Sequence, residues 1–399
     1  MFENVNLNQI FQYLLVSLAF LAPLTVFGAN LVIVVITLLW LLSGNYKSKF
    51  KQIFDSKLMI ASVVFFGLHI IGLAWTSNIA WGLHIIHKMW YFILFFPVLF
   101  NLVEKKYIKY YISAFLLAIL LTEVLSYLIF FNVIPAFKYA TVYDPTPFMS
   151  HISYNPILAF AIYLVCHQIF LNRDLSQVKL ILYSLVAISM TINMFITGGR
   201  AGYVMYFAML GILFLQLLQS KRYKSVLFIL ILIPGIFYSA YIFSDIFHNR
   251  VHETINSIIT YTPAMPDALA HRVTFAVNTF GIIVNHPLLG VGTGDFPDVY
   301  ASINRTASPG VPNTSNPHNM YLLIQAQLGI FGLISLLSIF YYQIKLSFLS
   351  SDRFIRDVGI TLPLLFLLAM FSDSYLLGHY TSLIFVFFSA FLYKDFEKS

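Results

Sequence analysis

The sequence predicts an all-α polytopic membrane protein, and three observations carry that prediction. Hydrophobic residues fill 59% of the 399 positions and charged residues only 10%, against about 25% charged in a soluble domain. Apolar runs recur along the whole chain at close to the ~20 residues that a spanning helix needs. The basic residues sit in short clusters between those runs, which is the cytoplasmic-loop pattern of a multi-span protein. The formal net charge of +7 therefore does not point to nucleic acid.

Twelve such runs follow in order, roughly at 8–27, 29–44, 58–75, 84–103, 110–131, 152–171, 179–197, 201–218, 226–243, 319–344, 358–374 and 380–393. The first pair, broken by Pro23 and Gly28, is short enough for a tight hairpin. The N-terminus lacks the basic n-region of a cleavable signal peptide and a second run follows at once, so the first run reads as a retained span. The single cysteine, Cys166, lies inside an apolar run, which excludes an intramolecular disulfide. Residues 1–243 hold spans one to nine, 244–318 a polar loop with amphipathic helices, and 319–399 spans ten to twelve.

Orientation follows from the basic residues. With the N-terminus in the cytoplasm, the even-numbered connections and the C-terminus collect 17 of the 23 lysines and arginines, Arg173, Arg222 and Lys398 among them. The opposite orientation would violate the positive-inside bias. Both termini are therefore expected in the cytoplasm and residues 244–318 outside, which is the periplasm in a Gram-negative cell.

Six basic residues stay outside: Lys88, Lys138, Arg200, Arg250, Arg272 and Arg305. Lys138 and Arg305 read as solvated loop charges, and Arg250 as snorkelling beside an interfacial helix. Lys88, in Ile85-Ile86-His87-Lys88-Met89-Trp90, either reaches for the interface or faces a polar cavity. Arg200 sits in Thr197-Gly198-Gly199-Arg200-Ala201-Gly202, a glycine-rich break that lets another group approach the backbone closely. Its guanidinium either pairs with lipid phosphate or offers a planar fork to a substrate phosphate. Arg272 follows Pro266-Asp267 on an amphipathic stretch, with Val273, Val277, Phe280 and Val284 at helical spacing. Arg272, Asn278 and Thr279 lie on the other face, and such a helix should lie on the membrane surface.

The stretch stops at His286-Pro287, and Gly290-Val291-Gly292-Thr293-Gly294 follows. No βαβ unit surrounds these glycines, so they are not a dinucleotide fingerprint but a turn bringing the loop back over the bundle. Asn316 and Pro317 are helix-start residues, and they put His318 near the first turn of span ten. His318 is either structural or a neutral imidazole that accepts a hydroxyl proton. His151 is an accessory candidate on the same side, while His69 and His167 lie in spans with no evident partner. Glu123, inside span five, is catalytic, structural or part of a proton relay. The loop acids Asp245, Glu253, Asp267, Asp295 and Asp298 are dispersed without metal-ligand spacing.

Four landmarks in this order, Thr197–Gly202, Arg272, His286–Gly292 and Pro317-His318-Asn319-Met320-Tyr321-Leu322, resemble the O-antigen ligase and polymerase superfamily of bacterial envelope enzymes. The resemblance is close over about 197–325. It implies a GT-C-like, metal-independent, inverting glycosyltransferase of the inner membrane, acting in lipopolysaccharide biosynthesis without a cofactor. The implied donor is a polysaccharide on undecaprenyl diphosphate, and the ligase branch transfers it to a sugar hydroxyl of lipid A–core. By this resemblance Arg200 and Arg272 hold the diphosphate and His318 orients or deprotonates the acceptor. Lys88, Asn319 and His151 are the further candidates for substrate contact, and no metal ligand is implied.

The chemistry is consistent with that implication. The outer compartment offers no nucleotide triphosphate, so the donor must carry its own energy, and two arginines can stabilise a leaving diphosphate. The alternatives are a polymerase with a lipid-linked acceptor, a protein O-oligosaccharyltransferase, and a lipid-linked glycan transporter. A transporter would have related, Gly/Pro-broken halves, and no internal repeat is evident. The expectation is that Arg200, Arg272 and His318 converge at the outer leaflet.

Overall fold

The computed structural model describes residues 6–138, 140–172, 174–221, 223–260 and 268–396. Expectations for Arg173, Arg222, Pro266-Asp267 and Lys398 lie outside them. The described residues form seventeen α-helices and no strand, apart from an isolated bridge between Thr141 and Asp144. Every one of the twelve apolar runs is helical.

The helices in chain order begin with α1 (Leu7–Leu21), α2 (Val26–Leu42), α3 (Tyr46–Asp55), α4 (Lys57–Ile71) and α5 (Ile79–Trp90). A π-turn at Tyr91–Phe95 joins α5 to α6 (Phe96–Leu102). Next come α7 (Ile108–Phe130), α8 (His151–Leu171), α9 (Gln177–Ile196), α10 (Arg200–Gln219) and α11 (Tyr223–Phe243). The polar loop supplies α12 (Asp245–Ile259), α13 (Ala268–Asn285) and α14 (Phe296–Ala307). The chain ends with α15 (Met320–Leu349), α16 (Arg353–Ala369) and α17 (His379–Leu392).

Among the described residues eight helices are long and apolar enough to cross a membrane, or nine when the α2–α3 pair, bent by 117°, is taken as one span. Other apolar runs form shorter helices, for a geometric reason. Hydropathy continues through turns, whereas helices stop at them: α1 ends at Leu21, before Pro23, and has 15 residues, as α17 has 14. At 1.5 Å per residue such helices reach only ~22 Å, short of a ~30 Å hydrocarbon core.

The chain divides into two compact units. The first comprises residues 1–18, 27–109 and 255–399. Within it α15 packs against α4, α13 and α16, and α17 packs against α6. From Thr381 to Leu392 α17 is buried throughout, so its length need not match the bilayer. The second unit comprises residues 19–26 and 110–254. It is built around α8, flanked by α9 and α10 and buried from Tyr154 to His167. Gly202 permits this packing, since a Cβ there would sit 2.1 Å from the Asn155 Cβ.

In the first unit the loop helices α13 and α14 form a small core with the start of α15: Phe275, Ile282, Phe296, Tyr300, Leu323 and Ala326 pack together. In α13 the polar face is the buried one and the apolar stripe the exposed one. Asn278 and Thr279 are 5% and 0% exposed, whereas Val277 and Phe280 are 63% and 59% exposed. The buried amide is satisfied locally, because Asn278 Nδ2 donates to the Tyr300 hydroxyl, Asn304 Oδ1 and Ser308 Oγ at 3.2–3.3 Å. A buried polar face is stable only when its groups are bonded in this way.

The glycine run does more than turn. α15 is broken at Gly329 (φ 62°, ψ −156°), and the 287–292 segment fills the break. Ile330 N donates to Pro287 O at 2.9 Å, Val291 N to Ala326 O at 2.9 Å, and Gly292 N to Gln327 O at 3.0 Å. Gly290 and Gly292 adopt φ 68° and 104°, a region open to glycine at little cost. The loop thereby supplies backbone partners that the interrupted helix would lack.

Candidate functional site

The predicted residues fall into two clusters, one in each unit. In the first unit His318 precedes α15 with φ 52°, a left-handed conformation uncommon for a residue other than glycine. It is held there by Asn316, whose Oδ1 accepts from His318 N at 3.0 Å and from Ser374 Oγ at 2.8 Å. Asn319, not Asn316, caps α15, its side chain accepting from Leu322 N at 3.1 Å while Nδ2 donates to Phe371 O at 3.4 Å. The amide expected to touch substrate is thus engaged in helix capping.

The imidazole of His318 stacks on Phe275 of α13, ring centroids 6.1 Å apart. Its Nδ1 lies 3.3 Å from Asp373 Oδ2, an ion-pair contact and not an aligned hydrogen bond. Asp373 is fixed in turn, since its Oδ1 accepts from Asn316 Nδ2 at 2.9 Å and from Ser374 N at 2.7 Å. Burial pushes the Asp373 carboxyl up, but the adjoining imidazole, Ser374 and Asn316 outweigh it and hold the group below the usual carboxylate range. The carboxylate is therefore ionised at neutral pH, beside one nitrogen of the ring, and Nε2 is the ring atom left for another partner. A base oriented by a third group is the general arrangement for proton abstraction.

Arg272 lies one helical turn before Phe275, on the same side of α13. Its charge is felt at Tyr375: burial pushes that phenol up to about 12, and the Arg272 guanidinium acts in the opposite sense. Arg272 is half-buried and makes no ion pair among the described residues. Arg272 and His318 both neighbour Phe275, the first by helical spacing and the second by stacking. Lys88, half-buried on α5, also makes no ion pair among the described residues, and α5 packs against Tyr375–Leu377.

The second unit carries Arg200 at the first position of α10, directly after the glycine break. Arg200 Nη2 and Arg250 Nη1 each lie 2.8 Å from the same atom, Glu253 Oε2. Burial raises the Glu253 carboxyl, and the two guanidiniums outweigh it, so the group stays below its usual range. Arg250 therefore does not snorkel; it packs over the break, its Nη2 lying 3.3 Å from where a Gly198 Cβ would be. His151 lies against Gly199 and pairs with Asp144 through Nδ1 at 2.5 Å. Thr197 anchors the break, donating to Asn155 Oδ1 at 2.9 Å. An apolar cavity of about 620 Å³, lined by Phe195, Ile196, Ile231, Ile236 and Phe243 among others, runs between α9 and α11 up to this break.

Two partners escaped the sequence reading. Asp373 stands at the end of an apolar run, with no local pattern linking it to a residue 55 positions earlier. Arg250 had a signal, a Glu253 at i+3 that marks a helical ion pair. Of the remaining loop acids, Asp295 accepts from Ser77 N and Asn78 N at 2.8 and 2.7 Å, and Asp298 from Asn78 Nδ2 at 2.7 Å. His69 does have a partner, Phe65 O at 2.9 Å from Nδ1. Glu123 accepts from Ser189 Oγ within α7–α9 packing.

Fold and site together define a helical membrane protein that presents guanidiniums and an oriented imidazole at helix starts. Residues 185–337 match the family described as O-antigen ligase. The match, shorter than half the chain, supports the O-antigen ligase and polymerase superfamily and contains Arg200, Arg272 and His318. No curated protein matches the chain.

Proposed function

We propose that this protein is an O-antigen ligase of the bacterial inner membrane, transferring polysaccharide from undecaprenyl diphosphate to a sugar hydroxyl of lipid A–core. The observation that carries this reading is the His318–Asp373 pair, with Arg272, which makes no ion pair among the described residues, one helical turn from the Phe275 that stacks on His318. The acceptor hydroxyl gives its proton to His318 Nε2, and its oxygen attacks the anomeric carbon of the donor sugar. The bond from that carbon to the diphosphate oxygen breaks, and configuration inverts. Asp373 steadies the imidazolium that forms, while Arg272 stabilises the departing diphosphate charge without proton transfer. In the second unit Arg200 is a further candidate for phosphate binding by the same chemistry, an anion replacing the half-exposed Glu253 carboxylate. The adjoining apolar cavity suits the polyprenyl tail of such a donor.

The reading includes twelve membrane crossings, cytoplasmic termini and a periplasmic site, for which the distribution of basic residues is the support. Lipopolysaccharide from a deletion strain tests it on gels. A ligase mutant leaves core without polymer while long chains accumulate on the carrier lipid. Core capped with single repeat units would instead identify a polymerase and overturn the assignment.

A further inference from the structure

At the opposite end of α15 from His318 lies a second feature with no part in the transfer chemistry. Lys345 is 25 residues beyond Met320, roughly 38 Å along the helix at 1.5 Å per residue. Here the first unit encloses a cavity of about 730 Å³ between α3, the end of α6, the end of α15 and the segment after α17. Five lysines line it, Lys49, Lys51, Lys57, Lys345 and Lys394, against two acids, Asp55 and Asp395. None of the five makes an ion pair among the described residues.

Two of the lysines are held in place. Lys394 Nζ donates to the carbonyls of Asn101 and Val103, each at 3.0 Å. Lys49 Nζ donates to Ser43 Oγ at 2.7 Å and sits 4.6 Å from the centre of the Trp40 ring. Such contacts fix the positions of these two ammonium groups in a lining where lysines outnumber acids. Like charges gathered in one cavity repel one another, so an anion that enters gains from all of them.

The wall tells which anion. α3 turns by 117° from α2 and lines the cavity with Lys49, Lys51 and Asp55, while its Phe50 and Phe54, 48% and 59% exposed, lie outside that lining. Leu349, in the wall, is 72% exposed. Aromatic and aliphatic groups interleaved with lysine on a short helix are the signature of an element lying in the membrane interface. The occupant must therefore present phosphate to the lysines and hydrocarbon to Leu346 and Leu349. We propose that this cavity is a binding site for the phosphate headgroup of an acidic membrane phospholipid, at the membrane face opposite to His318. Basic pockets between spanning helices bind such headgroups by charge and shape.

The test uses the full-length protein reconstituted with equal amounts of phosphatidylglycerol and phosphatidylcholine, followed by native mass spectrometry of retained lipid. The wild type should retain phosphatidylglycerol in preference to phosphatidylcholine. The variant Lys51→Gln/Lys57→Gln/Lys345→Gln should lose that preference by tenfold or more, because each lysine near a lipid phosphate contributes roughly fivefold. His318→Ala should keep it. As a readout independent of expression yield, phosphatidylglycerol should raise the Tm of the wild type more than that of Lys345→Gln. Equal retention of the two lipids by wild type, or an undiminished preference in the triple variant, would overturn the proposal. So would displacement of retained phosphatidylglycerol by millimolar inorganic pyrophosphate, which would mark a site for a soluble anion.

Discussion

His318 is held by three independent restraints: a left-handed backbone fixed through Asn316, a ring stacked on Phe275, and a carboxylate at Nδ1. Non-glycine residues in this conformation cost ~1–3 kcal/mol and persist where the surroundings over-determine them, often at functional sites. His318→Ala is expected to lower glycan transfer by about 10²–10⁴-fold, the usual range for a general base, in membranes with unchanged protein level. Arg272→Ala should cost about 10²–10³-fold and Arg272→Lys less, since a lysine keeps the charge and loses the fork; parallel rate measurements separate the two. Asp373→Asn should lower transfer while leaving carrier-lipid binding intact. The same residue sets an acid limit on stability. Its folded-state pKa lies below the unfolded value near 3.9, so its contribution is present above that pH and fades as pH falls through the folded value. Thermal melts of wild type and Asp373→Asn should accordingly differ at neutral pH and converge in strong acid. His318 was legible because it closes a polar loop ahead of an apolar run. Asp373 was not, because ion pairs across a long sequence separation leave no periodic mark.

At the level of elements, hydrophobic periodicity located the helices and the apolar stripe of α13, but not what covers its polar face. α13 carries an apolar stripe, yet the stripe is its exposed side, and its Asn278 face is buried against α14 and α15. In water that arrangement would be costly, whereas at a membrane surface the stripe meets lipid and the buried amide is satisfied by Tyr300, Asn304 and Ser308. Amphipathicity alone gives the two faces and not which solvent each meets. α14 was missed because a turn was expected after the glycines, although Pro297 and Asp298 are favourable first-turn residues. The glycines themselves were legible as a turn, and their docking into the Gly329 break was not. A Cβ at Gly329 would sit 2.1 Å from Leu288 O, and one at Gly290 2.4 Å from Gln327 O. Gly329→Ala and Gly290→Ala should each destabilise the protein by about 2–5 kcal/mol from left-handed strain and overpacking together. A lowered Tm in detergent checks this, and Gly211→Ala, where an added Cβ meets nothing within 4 Å, serves as the reference.

For the whole molecule, composition alone gave the all-helical membrane class, since so few charges cannot solvate an aqueous surface of this size. The number of crossings was less legible, because hydropathy does not see where a turn shortens a helix or bends α2 into α3. The two proposed sites lie along α15, with the His318–Asp373 pair at its start and a lysine-lined cavity near its end. The central claim is that His318 removes the acceptor proton. It is tested most directly by the rate of polysaccharide transfer in proteoliposomes containing purified protein, lipid-linked donor and lipid A–core acceptor. His318→Ala protein should bind donor as the wild type does and transfer it at least 10²-fold more slowly. Transfer by His318→Ala at the wild-type rate would contradict the account.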